Sequence, residues 1–152
     1  MAVKVGDQVA DFVLKDNRGK EVRLSDLKGK KVLLSFHPLA WTSVCANQMK
    51  SLEENLKEFE KLNAVPLGLS VDSVPSKNAW AKSLGIKDTK LLSDFWPHGG
   101  VASRLGLFRD KDGTSERANV ILDENQKVIF VKVYIPQLPD INEILNFLKN
   151  LK

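Results

Sequence analysis

Lys31-Val32-Leu33-Leu34-Ser35-Phe36-His37-Pro38-Leu39-Ala40-Trp41-Thr42-Ser43-Val44-Cys45 is the stretch whose reading decides the fold. Residues 31–36 form a mostly apolar run, with Val32, Leu33, Leu34 and Phe36 between Lys31 and the small Ser35, the pattern of a strand covered on both faces in the middle of a sheet. Pro38 has no N–H for a strand ladder, so the strand stops there. Thr42 or Ser43 then suits the start of a helix. From Cys45 the apolar positions Cys45, Met49, Leu52, Leu56, Phe59 and Leu62 recur in steps of four and three, which predicts one amphipathic helix over that span. A cysteine is thus placed in the first helical turn, where unpaired backbone N–H groups carry partial positive charge and favour a thiolate.

Working outward, Val9–Lys15 and Glu21–Leu24 read as strands joined by the turn residues Asp16-Asn17-Arg18-Gly19-Lys20, an N-terminal hairpin with Ala10, Phe12 and Leu14 on one side. On the other side of the predicted helix, Ala64–Val71 is a second apolar run, ended by Asp72-Ser73. A strand, a helix and a strand in that order pair in parallel. Pro75 and Ser76 open a helix through Ala79, Trp80 and Leu84 that Gly85 ends. Leu91–Asp94 is a short extended piece, and Val101–Gly106 one or two helical turns. Glu116–Leu122 and Lys127–Tyr134 flank the turn Asp123-Glu124-Asn125-Gln126 as an antiparallel pair. Pro139 and Asp140 begin a closing helix that buries Ile141, Ile144, Leu145 and Leu148. These elements predict an α/β fold, a central mixed sheet flanked by helices, in one domain over residues 1–152. Cys45 then lies at the carboxyl end of the central strand, where ligands of open α/β sheets bind.

The 152 residues, 43% of them hydrophobic, suffice for one core. Lys and Arg number 23 against 19 Asp and Glu, for a net charge of +4, but the charges are scattered, which points away from nucleic acid. Residues 1–7 lack the apolar segment of a signal peptide and nothing approaches a membrane span in length, so a cytoplasmic location is expected. One cysteine excludes an intrachain disulfide and a CxxC exchange pair. With only two histidines, His37 and His98, it also leaves too few soft ligands for structural zinc. No metal or cofactor is expected.

Pro38, Thr42 and Cys45 match the Pro-x-x-x-Thr-x-x-Cys motif of peroxiredoxins, and Arg117 stands before the apolar run 118–122 where that family has an arginine. The chain resembles the family over nearly its whole length, which implies a thioredoxin-like fold with an N-terminal hairpin. The resemblance implies a thiol-dependent peroxidase in which Cys45 attacks peroxide and becomes a sulfenic acid. Thr42 and Arg117 would orient the peroxide and stabilise charge, and Pro38 would shape and shield the site. The position five after Cys45, where one subgroup has its resolving cysteine, is Lys50, and the C-terminal segment has no cysteine either. A one-cysteine type is implied, reduced by an external thiol or a thioredoxin-like or glutaredoxin-like protein. Gln48 takes a position where glutamate is common, so a hydrogen-bonding role there can persist without the charge.

Other readings stay open on the residues alone. Cys45 taken by itself is a small buried hydrophobe, Thr42 a cap and Arg117 a surface charge. His37 reads as structural, outside the reacting set. Trp41, Phe95 and Trp96 can line a pocket, pack, or form a subunit contact, and the last suggests a homodimer or higher homo-oligomer. A non-enzymatic redox sensor that signals through oxidation of Cys45 is the alternative function.

Overall fold

The structure, a computed structural model, describes residues 2–135 and 137–151. The chain enters through the hairpin of β1 (Val13–Lys15) and β2 (Glu21–Arg23), with Leu14 opposite Val22. Its turn forms because the Asp16 carboxylate accepts the N–H groups of Arg18 and Lys20, at 2.8 and 3.0 Å. The first strand is shorter than its sequence suggests. Phe12 and Leu14 are buried, but Ala10 is exposed, and upstream pairing is reduced to an isolated bridge from Gln8 to Lys127.

A 3-10 turn over Leu24–Leu27 leads into β3 (Lys31–Phe36), as its apolar run predicts. The expected single helix is two, α1 (Ser43–Glu54) and α2 (Leu56–Lys61), broken at Asn55. The reason is local. The Asn55 side-chain amide donates to the Ser51 carbonyl at 2.8 Å, the acceptor its own backbone N–H would use in a continuous helix, and that N–H turns to Leu52 instead. The apolar face survives the break, with Cys45, Met49, Leu52 and Phe59 buried along one side.

The chain continues through β4 (Ala64–Ser70), α3 (Val74–Leu84), β5 (Lys90–Ser93) and α4 (Gly100–Arg104). The Ser73 hydroxyl accepts from the Ser76 N–H at the start of α3, and Gly85 ends that helix with φ 72°, a conformation open to glycine at no steric cost. A small hairpin of β6 (Phe108–Arg109) and β7 (Thr114–Ser115), too short to leave a pattern, precedes β8 (Ala118–Leu122), β9 (Val128–Val133) and α5 (Ile141–Lys149).

Seven strands form one mixed sheet in the order β2-β1-β5-β4-β3-β8-β9. β3 is an interior strand beside the central β4, parallel to β4 with Leu33 beside Pro66, and antiparallel to β8 with Leu34 beside Val120. Alternation along β3 divides the interior. Val32, Leu34 and Phe36 join the core that holds the N-terminal hairpin and α4, while Leu33 meets Met49, Leu52, Phe59, Trp80 and Ile144 on the other face. This is the expected mixed α/β architecture. It fixes the end of β3, and the loop to α1, between the last residues of β4 and the first of β8.

Candidate active site

Cys45 lies in the first turn of α1, fully buried, because Met49 and Leu52 on the same stripe draw that face of the helix onto the sheet. Thr42 occupies the cap position and its carbonyl accepts from Ala46 at 2.9 Å. Its side chain does not cap. The hydroxyl donates back to the Leu39 carbonyl at 3.0 Å, so the helix start carries no side-chain cap and its positive end is left for another negative group.

Arg117, half-buried one residue before β8, is 72 positions away in sequence. The pairing of Phe36 with Ala118 brings the ends of β3 and β8 together, and the Arg117 carbonyl is held by the Tyr134 N–H at 2.9 Å. Its Nη1 donates to Cys45 Sγ at 3.2 Å and to Gln48 Oε1 at 2.9 Å. Gln48 is buried one helical turn after Cys45. Its Nε2 donates to Ser35 Oγ at 2.8 Å and to the Phe36 carbonyl at 3.2 Å, which anchors the amide to β3 and leaves Oε1 to orient the guanidinium.

The structure therefore brings Cys45, Arg117 and Gln48 into hydrogen-bond contact. Thr42 stands three residues ahead of the sulfur, and Pro38 is half-buried in the loop, without a polar contact to it among the described residues. His37, expected to be structural, is fully buried, and its ring lies 5.3 Å from that of Trp80. Burial, followed by the positive charge of Lys77, holds its pKa well below the ordinary histidine value, so the ring is neutral. Lys77 itself is completely buried, which sequence reading missed. Its spacing of three and four from Trp80 and Ala81, both buried, was the available signal.

A mixed sheet of this order, with a thiol in the first helical turn after β3 and, on its sulfur, an arginine from the residue just before β8, defines a thioredoxin-like protein with a candidate thiol site. Residues 5–131 match the model of the AhpC/TSA family. The chain is 36% identical over 135 residues to alkyl hydroperoxide reductase E of Mycobacterium tuberculosis, which covers 88% of each. Among solved structures it is similar to peroxidoxin BcpB from Mycobacterium tuberculosis, with a TM-score of 0.89 and 31% identity over 98% of both chains. It is also similar to the reduced 2-Cys peroxiredoxin of Plasmodium vivax, with a TM-score of 0.86 and 30% identity over 97% of this chain and 81% of that one. The chain belongs to the AhpC/TSA family, and it is a peroxiredoxin, a thiol-dependent peroxidase, with a single cysteine in its 152 residues.

Proposed function

We propose that Cys45 is the nucleophile of a one-cysteine cycle that reduces hydrogen peroxide, small organic hydroperoxides or peroxynitrite. The observation that supports this most directly is the Arg117 guanidinium 3.2 Å from the sulfur. A fixed cation there favours the thiolate and is placed to polarise a bound peroxide. The thiolate attacks one peroxide oxygen. An S–O bond forms as the O–O bond breaks, the sulfur loses two electrons, and the other oxygen leaves as hydroxide, alkoxide or nitrite. The product is a sulfenic acid.

Thr42 receives the peroxide. Its hydroxyl proton is committed to the Leu39 carbonyl, so its oxygen is free to accept the peroxide O–H. The uncapped start of α1 adds positive potential, Arg117 meets the developing oxyanion, and Pro38 shapes the loop and keeps bulk water from the thiolate. With no second cysteine, reduction comes from outside. An external thiol displaces water from the sulfenic sulfur to give a mixed disulfide, which a second thiol opens. A thioredoxin-like or glutaredoxin-like dithiol protein supplies both thiols in one partner.

A cycle that must return its thiol to the reduced state suits the cytoplasm, and none of the described helices is long and apolar enough to cross a membrane. Trp41, Phe95 and Trp96, exposed at 57, 52 and 80%, form the contact of a homodimer. The test of the cycle is stopped-flow oxidation by each peroxide followed by turnover with thiol reductants. Rapid oxidation that Cys45→Ser abolishes is expected, and turnover retained in Cys45→Ser overturns the proposal.

A further inference from the structure

Lys77 is a buried cation that the reaction as described leaves unused. Taking an ammonium out of water is costly unless partners surround it, yet its hydrogen-bond partners are two neutral groups. Its Nζ donates to Ser70 Oγ, and it lies 3.2 Å from His37 Nε2. The Ser70 hydroxyl passes the polarity on, donating to Asp72 Oδ2 at 2.6 Å, and the same carboxylate oxygen accepts the Ala40 N–H at 2.8 Å. With the neutral His37 ring accepting from the ammonium, the ring proton sits on Nδ1, a buried atom without a partner. Two branches therefore run from Lys77 to the loop between β3 and α1, one to His37 beside Pro38, the other through Ser70 and Asp72 to the backbone of Ala40.

We propose that Lys77 is a positioning residue for the reaction at Cys45, its buried ammonium holding the loop of Pro38 through His37 and Ser70–Asp72. The proposal rests on Cys45 being the reacting thiol. Several charged groups bear on Lys77. Burial pushes its pKa down to about 7, against the opposing attractions of Asp72, of the Cys45 anion and of Asp94, while the positive charge of Arg117 bears on His37.

The experiment compares the full chain with Lys77→Met and Ser70→Ala, measuring hydrogen peroxide oxidation and iodoacetamide alkylation of Cys45 across pH. At about pH 6, where Lys77 carries its proton, Lys77→Met should slow both reactions roughly tenfold, and at about pH 9 the ratio should approach one. Ser70→Ala removes an acceptor of the ammonium, so the ratio of wild-type to variant rate should exceed one near neutral pH and fall to one at high pH. A ratio of one throughout, or one that does not change with pH, overturns the proposal. If Lys77→Met does not fold, an unaltered profile in Ser70→Ala overturns it. If the wild-type chain is oxidised only as fast as a free cysteine, the peroxidase role of Cys45 fails, and the alkylation ratio still decides the role of Lys77.

Discussion

The amide oxygen of Gln48 accepts from the same Arg117 nitrogen that donates to the Cys45 sulfur, at 2.9 and 3.2 Å. The guanidinium is thereby held between a neutral acceptor and the thiol. A glutamate at residue 48 would neutralise part of that positive charge. The amide orients the cation and leaves its field on the sulfur.

Removing the cation should expose that dependence. Arg117→Ala is expected to lower the rate of Cys45 oxidation by hydrogen peroxide about a hundredfold, the usual scale for losing one preorganised donor to a developing anion. The far-ultraviolet circular dichroism should not change, since Arg117 is half-buried and outside both cores. An unchanged rate removes Arg117 from the reaction.

Gln48→Ala separates orientation from charge. The guanidinium keeps its charge but loses its anchor, and Ser35 Oγ and the Phe36 carbonyl lose a buried donor. Oxidation should slow about tenfold, with a stability loss of about 1–3 kcal/mol in urea denaturation. A slower reaction without any stability change would mean that the amide is not anchored to β3 as described.

Much of this site was legible because its residue types sit at fixed spacing. Pro38, Thr42 and Cys45 lie within eight consecutive residues, and the segments of β3 and β8 read as strands, but the antiparallel pairing of those two strands that delivers Arg117 joins residues too far apart in sequence to leave a local pattern. What escaped was set by side chains that act against their usual habit. Asn55 breaks the helix by a bond to Ser51 that apolar periodicity does not register. Thr42 stands at the cap position yet turns its hydroxyl to Leu39. Lys77 is buried although lysine is normally solvated, and only its partners, contributed by β4 and the end of β3, make that tolerable.

Burial of Lys77 should appear in stability as well. Its folded pKa of about 7 lies below the ordinary 10.5, so between those values the unfolded chain binds more protons than the folded one. Stability contributed by this group therefore rises with pH across that interval, by about 1.4 kcal/mol per pH unit at most, and the full penalty is present below it. Urea midpoints should increase less steeply from neutral to alkaline pH in Lys77→Met than in the wild type. Equal slopes would mean that Lys77 titrates as a solvated lysine.

The exposed aromatics give a separate prediction. Trp41 donates its indole N–H to Ser76 Oγ at 3.1 Å, and Phe95 and Trp96 line a cavity with Ser73, Val74 and Pro75, so all three gather at the start of α3. If they form the proposed dimer contact, Trp96→Glu places a charge at its centre. Sedimentation at micromolar concentration should show a dimer for the wild type and a monomer for the variant. A wild-type monomer would remove the dimer from the proposal.

The last prediction concerns the packing that seats α1. Gly68 in β4 has no side chain, and a Cβ there would collide with the sulfur of Met49 and approach Leu91 Cδ2 to 2.9 Å. Met49 is fully buried, one turn beyond Cys45 on the same stripe of the helix. Gly68→Ala must therefore displace the Met49 side chain or lift the helix, at a cost of about 1–3 kcal/mol. The two responses differ at the site. Met49 is unbranched and can turn aside, which would lower stability while leaving Cys45 oxidation unchanged. A lifted helix would move the sulfur away from Arg117 Nη1 and slow oxidation as well. The Leu91 methyl, which packs in the same core as Met49, leaves the added Cβ little room, so the stability loss should be accompanied by slower oxidation. Denaturation midpoints and stopped-flow rates on the same variant distinguish the outcomes, and a full oxidation rate at reduced stability would show that Met49 absorbs the strain alone.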